Sequence, residues 1–283
     1  MKVTELAPAK LNLTLEVGEK RSDGYHEVQS VMSCAALYDE VTLERGVGGG
    51  ITMSCDCPDL PCDETNLCLR AAKLFFQKTG IACDGLRIGL TKRIPMQAGL
   101  GGGSADAAAV LRGLRKLYRP EMMIKELERM AADLGSDVPF CVRGVTAMVR
   151  GRGEQLLKLP KLPLCWFVIC KPDVSFSTPE MYARLDEKKP TCTIDSLGLI
   201  KALEYQDMLE ISDRLGNCFE GVLGEDSEIF TIKKRLLALG ARNACMSGSG
   251  SAVYGLFTQE DAAKAAAEEL KKTYPRTWFA ESV

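Results

Sequence analysis

The glycine-rich stretch at residues 95–109 limits the folds open to this chain more than any other segment. It reads PMQAGLGGGSADAAA, with four glycines in five positions, and Leu111 and Leu114 continue a helical pattern after it. Glycine adopts positive φ angles and lets a ligand approach the backbone closely. The helix behind it presents unpaired N–H groups and the positive end of its dipole. The stretch therefore predicts a phosphate-binding loop at the start of a helix.

Three other interpretations of this stretch are weaker. The Gly-Lys-Ser/Thr ending of a Walker A loop is absent. A dinucleotide fingerprint requires a strand that leads directly into the first glycine, and the spacing here does not fit it. A flexible glycine–serine linker would not continue into an alanine-rich helix.

Length and charge define the class of protein. The 283 residues suffice for one large domain or two of ordinary size, and 46% hydrophobic with 26% charged residues is typical of a globular protein. A net charge of -2 gives no general attraction to nucleic acid or to an anionic membrane. No apolar stretch is long enough to span a bilayer, and the N-terminus has the pattern of a strand rather than a signal peptide. We expect a cytoplasmic protein that binds neither nucleic acid nor membrane.

The twelve cysteines raise the question of a metal site. Cys55, Cys57, Cys62 and Cys68 follow a C-x-C-x4-C-x5-C spacing, but paired C-x2-C knuckles are missing and the single histidine lies elsewhere. In a cytoplasmic chain the default is free thiols, which behave as small hydrophobic residues when buried. Free cysteines are therefore favoured over zinc.

Hydrophobic periodicity predicts alternating strands and helices without repeats or long linkers. We predict strands at residues 2–17, 28–44, 86–94, 165–171 and 252–257 and near Trp278, a hairpin of residues 145–150 and 155–159, and helices at 64–79, 105–118, 122–134 and 259–272. Asp63 is the expected cap of the first helix. Hairpins outnumber strand–helix–strand units, which indicates an α+β fold with mainly antiparallel sheets. Prolines at 160–163 suggest a boundary between domains 1–160 and 161–283.

Two further segments complete a pattern that resembles the GHMP kinase superfamily. Residues 7–13 read APAKLNL and residues 246–252 read MSGSGSA, and both agree with that superfamily's motifs in order and position. The resemblance implies an N-terminal nucleotide-binding domain, a C-terminal α/β sandwich-like domain, and ATP and Mg²⁺ as cofactors. The implied ATP-binding residues are Pro95, Met96, Gln97, Ala98, Gly99, Leu100, Gly101, Gly102, Gly103, Ser104 and Ala105. The Mg²⁺ ligands stay open, because the Ser104 hydroxyl can contact a phosphate, help to hold Mg²⁺ or cap the helix.

Residues 21–27 (RSDGYHE) and 135–140 (GSDVPF) resemble one branch of this superfamily. Members of that branch transfer the γ-phosphoryl group of ATP to the 2-hydroxyl of a cytidine-diphosphate derivative of 2-C-methyl-D-erythritol, in the non-mevalonate pathway to isoprenoids. Ser136 departs from the branch, which usually has alanine there. The resemblance implies a small-molecule substrate that carries cytidine diphosphate, and we expect a monomer or weak homodimer.

The phosphoryl acceptor is an alcohol, so a general base near its proton is useful. Asp137 is the candidate, although an aspartate between a helix and an apolar run is commonly only a turn or cap residue. Lys10 is a cation within an apolar strand and would keep that carboxylate ionised. The alternative is a strand-edge lysine with its ammonium in water. Asn12 lies two residues along the same strand face and is expected in the same site.

Recognition of cytosine requires ring stacking and hydrogen bonds to the base edge. Tyr25 can stack on one face, and Tyr182 matches the second stacking position of the branch. His26 is expected to pair with the base edge, with a structural hydrogen bond or a role as catalytic base as alternatives. Thr178 is a further substrate-binding candidate. The glycine-rich segment at 247–251, called below the C-terminal glycine turn, is expected beside the phosphates or the substrate.

Two other functions stay possible at this point. A GHMP kinase for homoserine or a mevalonate-type alcohol would lack the Asp-Gly-Tyr-His segment together with Tyr182. A non-catalytic nucleotide-binding relative would be favoured by the loss of Lys10 or Asp137, and both are present.

Overall fold

Alternating apolar residues produce two long strands at the start of the chain, β1 (Lys2–Lys20) and β2 (His26–Arg45). The computed structural model describes residues 1–191 and 193–283 and divides into two units, to both of which β1 and β2 contribute. The first unit comprises Met1–Ala9, Tyr38–Met96 and Gly101–Gly144, and the second comprises Lys10–Leu37, Gln97–Leu100 and Val145–Val283. The predicted boundary between a domain of residues 1–160 and a domain of residues 161–283 stays a prediction.

In the first unit, strands support four helices. Strand β3 (Ile51–Cys55) pairs in parallel with β4 (Leu86–Thr91), and β4 pairs antiparallel with the end of β2, where Val41 lies opposite Leu90. The helices are α1 (Leu67–Thr79), α2 (Gly102–Tyr118), α3 (Ile124–Ala132) and α4 (Val138–Arg143). Small alanine side chains allow residues 105–111 of α2 to be buried all round, while the first turn before them is partly exposed, and α1 packs against α2. This packing fixes the helix whose N-terminus follows the glycine loop.

The second unit contains a hairpin of β5 (Ala147–Gly151) and β6 (Gln155–Lys158), in which β5 also pairs antiparallel with β2. A separate antiparallel sheet has the order β11-β7-β10-β9. Its strands are β7 (Trp166–Cys170), β9 (Asn243–Met246), β10 (Val253–Phe257) and β11 (Thr277–Glu281). The short strand β8 (Gly216–Asn217) pairs in parallel with β1.

The helices of the second unit are α5 (Thr178–Lys188), α6 (Ser196–Glu204), α7 (Met208–Asp213), α8 (Glu228–Ala238) and α9 (Glu260–Lys271), with one 3-10 helix (Cys218–Val222). Their apolar faces join the sheet in one core, where Val168, Phe219, Ile232 and Phe257 are buried. The α+β class is confirmed, and the predicted strands and helices are present in their predicted order. The elements β3, α4, β8 and β9 were not predicted.

Three local predictions were wrong at the ends of elements. Helix α1 begins at Leu67 with Asn66 as its cap, because the Asn66 side chain accepts a hydrogen bond from Cys68 N at 2.9 Å. The predicted cap Asp63 instead accepts from Thr65 N and closes the preceding turn. Strand β4 stops at Thr91 rather than residue 94, because the next N–H groups donate to carboxylates and not to a neighbouring strand.

The cysteines follow the free-thiol prediction only in part. Ten of them are free in the described part of the chain, including the four of the C-x-C-x4-C-x5-C segment. Cys218 is disulfide-bonded, so the prediction is wrong for that residue, because sequence spacing does not show which cysteines approach each other. For Cys192 the prediction lies outside the described residues. Over residues 1–191 and 193–283, no cluster of three or more metal-ligating side chains forms, and no helix is long and apolar enough to cross a membrane.

Candidate active site

The first half of the glycine loop is fixed within the second unit. The carbonyl oxygens of residues 98–100 accept hydrogen bonds from Ala252 N at 3.0 Å, Ser247 Oγ at 3.0 Å and Lys10 N at 2.9 Å, respectively. Gly99 has a φ of 75°, and a Cβ there would lie 2.0 Å from the carbonyl oxygen of Ser247. Only glycine fits at this position, because any side chain would displace the C-terminal glycine turn.

The second half of the loop begins helix α2 in the first unit. Gly101 is the N-cap residue, with φ of 66° and no side-chain capping bond, and Gly102 is the first helical residue. Ser104 lies inside the first turn, so its interpretation as the cap is wrong. The N–H groups of the first turn have no intrahelical acceptor, and the helix dipole adds positive potential there. This geometry suits a phosphate group.

Three charged side chains are buried together in the first unit beside α2, and the sequence analysis missed them. Lys92 Nζ donates to Asp106 Oδ2 at 2.8 Å and also to Asp39. Side-chain exposure is 7% for Lys92, 0% for Asp39 and 3% for Asp106. Asp106 was visible as the one acid in an alanine-rich helical stretch, which is an unusual place for a charge.

The cluster holds two carboxylates and one ammonium, and this composition shifts the pKa values of Asp106 and Lys92. Burial raises the pKa of Asp106 to about 7; Lys92 opposes that shift, and the neighbouring Asp39 carboxylate adds to it. Burial alone would lower the pKa of Lys92, but the two carboxylates outweigh burial and the pKa of Lys92 is raised. Asp106 Oδ1 finds no hydrogen-bond donor among the described residues.

A polar network that includes the Lys10 ammonium lies on β1, at the predicted site residues Lys10 and Asn12. Lys10 Nζ donates to Asn12 Oδ1 at 2.7 Å, Asn12 Nδ2 donates to Ser30 Oγ at 2.8 Å, and Gly248 N donates to Asn12 Oδ1 at 2.9 Å. Lys10 is only 4% exposed, so the alternative of a strand-edge lysine with its ammonium in water is wrong. Lys10 and Asn12 lie on one face of β1, next to the C-terminal glycine turn.

Asp137 is the N-cap residue of α4 in the first unit and is half-buried. It was predicted in a loop between a helix and an apolar run, and that run forms helix α4. The Asp137 side chain makes no capping hydrogen bond to α4. Lys10 belongs to the second unit, and the pairing of these two residues stays a prediction.

Two of the three predicted cytosine-binding rings are in contact. His26 is buried and stacks on Tyr182 with ring centroids 4.9 Å apart and planes at 24°. Tyr182 also makes an edge-to-face contact with Phe219, with the ring centroids 5.0 Å apart. Tyr25 differs, because it is 54% exposed and has the Arg152 guanidinium 5.0 Å from its ring centroid.

A carboxylate that sequence reasoning missed fixes the imidazole. His26 Nε2 hydrogen-bonds Asp186 Oδ1 at 2.7 Å, and this bond lowers the pKa of Asp186. Lys20 Nζ also contacts Asp186, at 3.4 Å. No sequence motif marked Asp186, since it lies on α5, 160 residues along the chain from His26.

Neutral side chains of the second unit hydrogen-bond the C-terminal glycine turn, and the Lys10 ammonium lies beside it, 3.2 Å from where a Cβ on Gly248 would be. Asn217 Nδ2 donates to Met246 O at 2.7 Å and to Gly248 O at 2.8 Å. The hydroxyls of Thr178 and Ser249 are 2.8 Å apart, which brings the predicted substrate residue Thr178 to this turn. Asn217 was not predicted, because nothing in its local sequence distinguishes it from a surface asparagine.

Comparison with known proteins gives matches over nearly the whole chain. Residues 66–145 match the GHMP kinases N terminal domain, and residues 199–276 match the GHMP kinases C terminal family. A 4-diphosphocytidyl-2-C-methyl-D-erythritol kinase of Macrococcus caseolyticus is 42% identical over 270 residues, which cover 95% of this chain and 95% of that protein. A kinase of the same name from Bacillus licheniformis is 43% identical, with 92% and 90% covered.

Among solved structures, a crystal structure of 4-(cytidine 5'-diphospho)-2C-methyl-D-erythritol kinase is similar over 99% of both chains. The TM-score is 0.84 and the sequence identity is 36%. The two-domain fold expected from the three motifs is therefore confirmed.

Proposed function

The chain belongs to the GHMP kinases, within the 4-diphosphocytidyl-2-C-methyl-D-erythritol kinase family, and we propose that it phosphorylates the 2-hydroxyl of that cytidine-diphosphate substrate. It is an ATP-dependent phosphotransferase with an alcohol acceptor. The observation that carries the substrate assignment is the 42% identity across 95% of both chains. The matched length extends well beyond the shared kinase motifs.

The ATP phosphates are proposed to bind at the first turn of α2. Phosphoryl transfer depends mainly on positioning and on stabilising charge. The N–H groups of residues 102–104 provide donors that need no side-chain charge, and the loop conformation before them is fixed by hydrogen bonds to three successive carbonyl oxygens.

Magnesium fits this site with few protein ligands. Mg²⁺ commonly retains waters and binds through substrate phosphates with one or two protein oxygens. The Ser104 hydroxyl, on the first turn of α2, is proposed as one oxygen that would hold the ion. When bound, the ion neutralises charge between the β- and γ-phosphates.

Asp137 is proposed as the general base that takes the proton of the 2-hydroxyl as the oxygen attacks phosphorus. The carboxylate is half-buried and is not used to cap α4, which supports a role outside the helix. Lys10 would favour the ionised carboxylate, and its burial and its bond to Asn12 restrict the ammonium to one position.

Cytosine recognition is proposed at Tyr25 and His26, with Tyr182, Thr178 and Asn12 completing the substrate site. The exposed Tyr25 ring is available for stacking, whereas Tyr182 stacks on His26 and orients it. Asp186 holds the Nε2 side of the imidazole, so Nδ1 and the backbone of His26 are the groups left to read the base edge.

An ATP-consumption assay tests this function directly. We expect turnover with 4-diphosphocytidyl-2-C-methyl-D-erythritol and a single new phosphate ester in the phosphorus NMR spectrum of the product. Homoserine and mevalonate, at equal concentration, should give only the background rate. Preferred turnover of either compound would contradict the substrate assignment, and no ATP consumption with any of the three would support a non-catalytic nucleotide-binding protein.

A further inference from the structure

The buried charges Asp39, Lys92 and Asp106, called here the charged clamp, join the two ends of the glycine loop within the first unit. Asp39 accepts the N–H groups of Arg93 and of Ile94, the latter at 2.9 Å, just before the loop begins. Asp106 lies on α2 just after the loop ends, and Lys92 bridges the two carboxylates. Strand β2, the segment entering the loop and the helix leaving it are thus held by one ion-pair network.

The Lys92 ammonium lies directly against the start of α2. A Cβ on Gly102 would lie 3.3 Å from Lys92 Nζ and 3.2 Å from Ile94 Cγ2. The first helical turn therefore has a buried ammonium beside it, together with the two carboxylates that the ammonium bridges. Charges in a poorly solvated environment act more strongly on neighbouring groups than charges in water do.

Fold stability alone does not account for this arrangement. Burying charged groups has a large desolvation cost, and well-packed apolar residues at such positions are often equally stabilising or better. The cluster also holds two carboxylates for one ammonium, which is not the composition that minimises that cost.

We propose that the charged clamp sets the affinity for the ATP phosphates, with Lys92 as a positioning residue whose positive charge strengthens the anion-binding end of α2. This proposal rests on the proposed ATP site. It predicts opposite effects for the two signs of charge: loss of the cation weakens nucleotide binding, and loss of the Asp106 charge does not. A purely structural network would respond in the same direction to both changes.

Calorimetric titration with AMP-PNP in the presence of Mg²⁺ tests the proposal on the full chain. For Lys92→Met we expect the Kd to rise about 10- to 50-fold, and for Asp106→Asn we expect it to stay equal or fall. The matched control Arg143→Met breaks a half-buried ion pair with Glu128 in the same unit, in which both hydrogen bonds are 2.7 Å. Its Kd should stay within about twofold of the wild-type value.

A second variant keeps the test valid if Lys92→Met folds poorly. In Lys92→Met/Asp106→Leu one uncompensated carboxylate is also removed, so the melting temperature should recover while the Kd stays high. An unchanged Kd in a cooperatively melting Lys92→Met variant would overturn the proposal, as would an Asp106→Asn variant that binds as weakly as Lys92→Met. If the wild-type chain itself did not bind AMP-PNP, the ATP site would be wrong and this proposal with it.

Discussion

The two glycine-rich segments of the molecule are supported by different chemistry. Beside the start of α2 stand two carboxylates and an ammonium with almost no exposure to solvent. The C-terminal glycine turn is hydrogen-bonded instead by the amides of Asn12 and Asn217 and by the hydroxyl of Thr178. One ammonium, that of Lys10, donates to Asn12 and stands beside this turn, where a Cβ on Gly248 would lie 3.2 Å from Lys10 Nζ. The first segment is therefore supported by a bridged ion-pair network, and the second mainly by neutral hydrogen bonds, which set direction.

The largest effect is expected when the first unit loses the proposed base. Asp137→Asn should lower kcat by about 10²–10⁴ because the hydroxyl proton then has no acceptor, while AMP-PNP binding changes little. Single-turnover rates and calorimetry measure the two quantities. Asp133→Asn is the matched control, because Asp133 is an exposed acid at the end of α3 that pairs with Lys78. Turnover near the wild-type rate in Asp137→Asn would show that positioning alone drives the reaction.

A second variant tests whether nucleotide binding at the start of α2 depends on close packing against the charged side chains. Gly102→Val should raise the Kd for AMP-PNP about 10-fold or more, because the new side chain meets Lys92 and Ile94. Gly103→Ala is the control for packing, since its Cβ would meet only Leu67 Cδ1 at 3.7 Å. The Km of the cytidine substrate should stay the same in Gly102→Val. Unchanged AMP-PNP affinity in the folded valine variant would remove the loop from the phosphate site.

Alanine variants of Tyr25 and Tyr182 distinguish stacking on the ligand from packing within the second unit. Tyr25→Ala should weaken substrate binding by roughly 1–3 kcal/mol and leave the melting temperature unchanged, because the ring is exposed. Tyr182→Ala should lower both substrate affinity and melting temperature, because that ring also contacts His26 and Phe219. Phenylalanine at either position should be mild. A loss of stability in Tyr182→Ala without any change in substrate Km would limit Tyr182 to packing.

The smallest effect on activity is expected when the C-terminal glycine turn loses a neutral side chain that supports it. Asn217→Ala removes the hydrogen bonds to Met246 O and to Gly248 O of the C-terminal glycine turn, together with the one from Phe219 N, and should raise the Km of the cytidine substrate about 2- to 10-fold, with AMP-PNP affinity unchanged. Asn243→Ala, which loses the bonds to Ser212 O and from Ala244 N in the same unit, is the control. If Asn217→Ala weakened AMP-PNP binding as much as Lys92→Met, the distinction between charged and neutral support would not hold.

Local sequence patterns predicted the elements well and their ends less well. Alternation and helical periodicity depend on neighbours a few residues away, so β1, β2, α2 and the β5–β6 hairpin were predictable. The end of β4 was not, because it depends on carboxylates from distant parts of the chain that take over the N–H groups of residues 92–94. The cap of α1 was misassigned to Asp63 because two capping residue types, Asp63 and Asn66, precede that helix.

The sequence by itself determined the α+β class, the glycine loop before a helix and the resemblance to a kinase family, because each is written in consecutive residues. Only the tertiary structure decided which side chains support those motifs. It placed Lys92 between Asp39 and Asp106, paired Asp186 with His26, and directed Asn217 to the C-terminal glycine turn. These partners are separated by up to 160 residues and carry no local signature. Their roles arise because burial makes an unpaired polar group costly, so the folded chain must bring such groups together.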